Sequence, residues 1–112
     1  MITNYLDLDN TILEQLKKES VFSEEEICGF LIKKDGAYIF KKVSNLHPNP
    51  KSFFLISPKE TVYSKECIVF HSHPKHVQEE GFSDWDLENQ KYFYMPMLLY
   101  SVNNDKFYYK NI

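Results

Sequence analysis

The stretch Cys67-Ile68-Val69-Phe70-His71-Ser72-His73-Pro74 decides how the rest of the chain is read. It opens with branched and aromatic residues, the types that suit a pleated, half-buried surface, and Pro74 ends it because proline cannot donate to a strand ladder. The spacing predicts a β-strand. Side chains alternate faces along a strand, so His71 and His73 point the same way.

Working outward toward the N-terminus, Ile27 to Lys33 is a second strand with few polar positions. Asp35-Gly36 follows, then Tyr38 to Val43. Asp-Gly supplies the positive φ angles of a tight turn, so these runs predict a hairpin. Ser44 to Lys51 holds Pro48 and Pro50 and is a loop; Phe53 to Ile56 is predicted as a short strand that Pro58 ends. Asn10 to Glu19 is a short amphipathic helix with Ile12, Leu13 and Leu16 at helical spacing, capped by Asn10 or Thr11.

Toward the C-terminus, residues 75–82 form a polar loop. Ser83 opens a helix to about Phe93, with Asp84, Asp86 and Glu88 near its positive end. Met97 to Val102 is a strand, and Asn103-Asn104 turns into a last strand, Lys106 to Lys110. The order is helix, about four strands, helix, two strands. It predicts an α+β fold: a single mixed, mainly antiparallel sheet flanked by two helices.

The length of 112 residues fits one domain over residues 1–112. Apolar content of 43% beside 26% charged residues is that of a globular protein. The net charge is −3 and the 13 basic residues are scattered, which argues against nucleic acid as a partner. Cys28 and Cys67 both lie in apolar runs and are expected as buried free thiols. No apolar run approaches the roughly 20 residues that span a bilayer. Met1 to Asp7 lacks the basic start and apolar core of a signal peptide, so no membrane association and a cytoplasmic location are expected.

Two imidazoles on one strand face make half of a metal site. Zinc accepts neutral imidazole and carboxylate, and a catalytic site keeps three protein ligands with one open position. Asp86, in the first turn of the next helix, is the candidate third ligand, and Ser83 at its cap can aim a hydroxyl at a substrate oxygen. A zinc site also needs a base to shuttle protons. Glu26, directly before the apolar strand, fits that role, while Glu24 and Glu25 lie further out. Each element has a plainer interpretation: an incidental His-x-His, a helix capping box, a solvated run of glutamates. Their order and spacing together favour the metal site.

Glu26-Ile27-Cys28-Gly29-Phe30-Leu31, His71-Ser72-His73-Pro74 and Ser83-Asp84-Trp85-Asp86 together resemble the JAMM signature of JAB/MPN zinc metallopeptidases. Asn45-Leu46 and Phe53-Phe54-Leu55-Ile56-Ser57-Pro58 resemble the segment that joins the glutamate and histidine strands in that family. The likeness covers roughly residues 10 to 102, and its fold would be MPN or cytidine-deaminase-like. It implies zinc held by His71, His73 and Asp86, with Glu26 as general base and Ser83 stabilising an oxyanion. It implies hydrolysis of a peptide or isopeptide bond, with a protein or peptide substrate such as a ubiquitin-like modifier or a phage tail protein. Nine residues separate His73 from Ser83, a lengthening similar to that of phage-tail members, for which a virion-associated location is the expectation.

The alternatives are a non-catalytic MPN-like scaffold, processing of a small sulfur-carrier protein, and a non-haem iron oxygenase with two histidines and one carboxylate. An amidohydrolase barrel of roughly 250 residues does not fit. His47 and His76 are expected on the surface, Trp85 in packing or lining the cleft, and the clusters Tyr92-Phe93-Tyr94 and Phe107-Tyr108-Tyr109 between helix and sheet.

Overall fold

A computed structural model describes residues 8–61 and 66–112, so the reading of Met1 to Asp7 falls outside the described residues. In chain order the elements are α1 (Asn10–Val21), β1 (Cys28–Lys34), β2 (Ala37–Val43), a 3-10 turn at Pro58–Glu60, β3 (Cys67–His73), α2 (Asp84–Phe93), β4 (Met97–Ser101) and β5 (Lys106–Lys110). The sheet order is β2-β1-β3-β4-β5. β3 runs antiparallel to β1 and parallel to β4, and the outer pairs are antiparallel. The fold is therefore α+β, a mixed and mainly antiparallel sheet with two helices, as expected.

The period of two along β3 sorts the core. Ile68 and Phe70 join Ile12 and Leu16 of α1 in one apolar cluster. Cys67 and Val69 join Phe93 of α2 in another. The helices thus cover opposite faces, and His71 and His73, in phase with Val69, face the α2 side. All seven residues of β3 are buried, as a central strand between two covered faces requires. The β1–β2 turn uses Asp35 at φ 52° and Gly36 at φ 83°, the left-handed pair that the Asp-Gly signal predicts. Cys28 and Cys67 are buried free thiols. No helix among the described residues is long and apolar enough to cross a membrane.

Three expectations change. The cap of α1 is Asp9, whose Oδ1 accepts the Thr11 N–H at 3.0 Å, one position before the residues expected. Phe53 to Ile56 forms no strand, so three strands precede α2. Its backbone bonds go to a loop and to side chains. Leu55 accepts from Leu46 N–H and donates to Asn45 Oδ1, Phe53 O accepts from Asn45 Nδ2, and Phe54 O accepts from Trp85 Nε1. In the aromatic run of α2 only Phe93 is buried. Tyr92 is 58% exposed, since neighbours in a helix cannot share its buried face, and Tyr94, the left-handed C-cap beyond the last helical residue, is 75% exposed.

Candidate metal centre

The antiparallel register pairs Cys28 with His71, and extending it by two residues sets Glu26 opposite His73. The ladder is prolonged past the end of β1 by Ser72, whose N–H donates to Ile27 O and whose Oγ accepts the Ile27 N–H, both at 2.9 Å. Glu26 itself is pinned by its N–H to Pro50 O at 2.8 Å and by Asn45 Nδ2, which donates to Glu26 O at 3.0 Å. These bonds select Glu26 from the glutamate run: it is buried, while Glu24 and Glu25 are exposed.

The fourth residue arrives from α2. Ser83 is its N-cap, and a capping box forms: Ser83 Oγ accepts the Asp86 N–H at 3.1 Å, and the Ser83 N–H donates to Asp86 Oδ2 at 2.9 Å. The cap and the site are one device, because the same Oδ2 lies 3.0 Å from His71 Nε2 and 3.1 Å from His73 Nε2. Glu26 Oε2 lies 3.9 Å from His73 Nε2. One ligand atom from each of Glu26, His71, His73 and Asp86 falls within 4.8 Å of the others, and all four residues are buried.

The polar atoms of the group are not all satisfied. The His73 Nε2 contact to Asp86 is a hydrogen bond. The His71 Nε2 contact to the same oxygen is as short, at 3.0 Å. That nitrogen, Nδ1 of both rings and Glu26 Oε1 are buried with no hydrogen-bond partner among the described residues. Buried polar atoms are nearly always bonded, so such a concentration of orphans needs an account. A cation among the four would engage His71 Nε2 and the carboxylates at once.

Burial, with smaller contributions from the Asp86 and Glu79 charges, pushes the Glu26 carboxyl up to about 9. Burial also works against an ionised Asp86, but His71 and His73 outweigh it and hold that carboxyl well below the usual carboxylate range. Burial pushes the His71 imidazole down, against the pull of Asp86. A neutral imidazole and an ionised carboxylate are the forms in which these groups bind metal.

Around the centre, the Phe54 ring stacks on His71 with centroids 4.5 Å apart, and Trp85 packs edge-on to His47 and Phe53. His47 is half-buried rather than a surface residue, its Nδ1 accepting the Asn49 N–H at 2.9 Å, and it lies outside the metal group. His76 is exposed, as expected. The loop over residues 75–82 is fastened to β5 by Tyr108, whose hydroxyl donates to Glu80 Oε1 at 3.2 Å, and it turns at Gly81 with φ 77°. A surface groove of about 1130 Å³ along α1 beside Lys18 and Tyr100 includes none of the four residues. A groove of about 510 Å³ lined by Glu25, Glu26, Lys42 and Asn45 opens on the Glu26 side. The chemistry, not the size of the opening, marks the site.

The structure thus brings together Glu26, His71, His73 and Asp86 and sets Ser83 beside them. Sequence reasoning quoted Ser72, Asn45 and Phe54 within motif segments but assigned them no part in the site. A serine between two histidines and an asparagine opening a loop were the available signals, but their partners are far away in the chain. No protein-family model matches the sequence and no curated protein is significantly similar to it, so the centre stands on its geometry: two imidazoles and two carboxylates, buried together, that could hold a metal ion.

Proposed function

We propose that the chain is a zinc-dependent metallopeptidase of the JAB/MPN type that hydrolyses a peptide or isopeptide bond. The observation that carries this reading is the convergence of both Nε2 atoms on Asp86 Oδ2 with Glu26 beside them. Two imidazoles and one carboxylate form a three-ligand donor set of catalytic zinc, and His71, His73 and Asp86 would hold the ion. When bound, zinc supplies a Lewis acid that polarises a carbonyl and makes water more acidic.

The remaining work falls to the chain. Glu26 becomes a carboxylate once positive charge is brought beside it. Its Oε1, which has no hydrogen-bond partner among the described residues, then takes a proton from water and returns it to the leaving amine. Ser83 Oγ already accepts the Asp86 N–H, and a hydroxyl that accepts still has its own proton to donate, here to the oxyanion. The substrate is a protein or peptide; a ubiquitin-like modifier and a phage tail protein are the two classes that the motif likeness suggests.

The test is metal content followed by cleavage. Purified protein should hold about one zinc per chain, and His71→Ala or Asp86→Ala should lose most of it. The zinc form should cleave at least one of three substrate types: unstructured peptides, modifier fusions ending in Gly-Gly, or ubiquitin chains. Glu26→Ala should keep zinc and lose cleavage. Full zinc content in the His71/His73 double alanine variant would overturn the assignment of ligands. A zinc-loaded protein inert on every substrate would overturn the peptidase.

A further inference from the structure

We propose that Phe54 and Trp85 are positioning residues for His71, setting its ring by stacking where most metal-binding histidines are set by a hydrogen bond. The inference rests on the metal centre proposed above. His71 Nε2 lies at Asp86 Oδ2, while the second ring nitrogen, Nδ1, is buried with no hydrogen-bond partner among the described residues. A ligating histidine ordinarily donates its second N–H to a carboxylate, carbonyl or water, which fixes both tautomer and ring orientation. Rotation of the ring about its last side-chain bond is soft, so something else must hold it.

Phe54 is placed to do so. Its ring lies nearly parallel to the imidazole, with centroids 4.5 Å apart and planes 21° apart, and the residue is fully buried. Phe82 reaches the same imidazole only at 6.4 Å and 45°. Phe54 belongs to no strand, so no ladder fixes its place in the fold. Its carbonyl accepts the Trp85 Nε1–H at 2.9 Å. Trp85 sits in the first turn of α2, one residue before Asp86. The helix turn that delivers one ligand therefore also anchors the ring that orients another. This couples His71 to Asp86 through packing as well as through their direct contact.

The experiment measures zinc affinity by chelator competition and records the visible spectrum of the Co2+-substituted protein. It compares wild type with Phe54→Leu, Trp85→Phe and Phe93→Leu. Phe93 lies in the same apolar layer, but its ring meets Phe30 edge-on. Phe54→Leu should weaken zinc binding about tenfold or more and shift the Co2+ bands. Trp85→Phe keeps an aromatic ring but loses the N–H together with part of the indole that packs on His47 and Phe53; it should move both readouts the same way by a smaller factor. Phe93→Leu should lose thermal stability yet keep wild-type affinity and spectrum.

Wild-type affinity and spectrum in a folded Phe54→Leu would overturn the proposal, as would equal losses in Phe93→Leu. If Phe54→Leu does not fold, the decision passes to Trp85→Phe at its partly exposed position, where unchanged affinity overturns the proposal. A wild-type protein that takes up neither metal would defeat the metal centre itself, and that result appears before any substitution is compared.

Discussion

Replacing Glu26 by glutamine in the metal-free protein should abolish a loss of stability that the wild type shows on going from neutral to alkaline pH. In the unfolded chain this carboxyl ionises near 4.5, whereas burial, reinforced by Asp86 and Glu79, raises it to about 9 in the fold. Between those values the folded state keeps a proton that the unfolded chain has released. Rising pH therefore favours unfolding: the stability linked to Glu26 is complete below 4.5 and is lost toward 9.

Two neighbours bend the profile at lower pH. His71 is held neutral by burial, so its contribution is complete above its ordinary value of 6.5 and declines as pH falls. Asp86, held low by the two histidines against the effect of burial, contributes fully above its ordinary 3.8. From pH 6.5 to 9 the Glu26 carboxyl stays protonated in the folded chain and is ionised in the unfolded one. At about 1.4 kcal/mol per pH unit the wild type should lose about 3 kcal/mol across that window. The glutamine variant, neutral throughout, should not share this loss. Urea unfolding in the presence of a chelator, at several pH values, measures both curves. Parallel curves for the two proteins would refute a protonated, buried Glu26. Zinc should flatten the wild-type curve, because positive charge in the site ionises the carboxyl in the folded state.

Asn45→Ala removes a side chain that donates to Glu26 O and Phe53 O and accepts from His47 and Leu55 N–H. It should cost about 2–4 kcal/mol in chemical unfolding and loosen the groove beside Glu26. Ser83→Ala should cost about 1 kcal/mol through the lost cap. In the zinc form it should also slow cleavage about a hundredfold or more, and a variant that loses stability but cleaves at the wild-type rate would confine Ser83 to capping. Gly29→Ala should destabilise by about 3 kcal/mol or prevent folding, because a Cβ there collides with the Lys41 carbonyl across the β1–β2 pair; an unchanged melting temperature would contradict that packing.

Much of the fold was legible because its signals are local. The two-residue period of Cys67 to His73, the Asp-Gly turn and the amphipathic spacing of Ile12 and Leu16 each declare an element within a few positions of chain. The Phe53 to Ile56 expectation failed for the complementary reason. Its residues have strand propensity, but an extended segment becomes a strand only if a ladder partner is free. Here Asn45, Leu46 and Trp85 take its backbone groups.

For the site, the sequence by itself determined the donor types, the common face of His71 and His73, and the capping pattern of Ser83 and Asp86. All of these follow from side-chain alternation and helix-end chemistry over four positions or fewer. Only the tertiary structure decided that Glu26 stands opposite His73, through a register fixed by Ser72 across a separation of 45 positions. It alone decided that Asp86 Oδ2 meets both imidazoles and that Phe54 lies on His71. Contacts of this kind depend on where separate elements pack, and no local period encodes that.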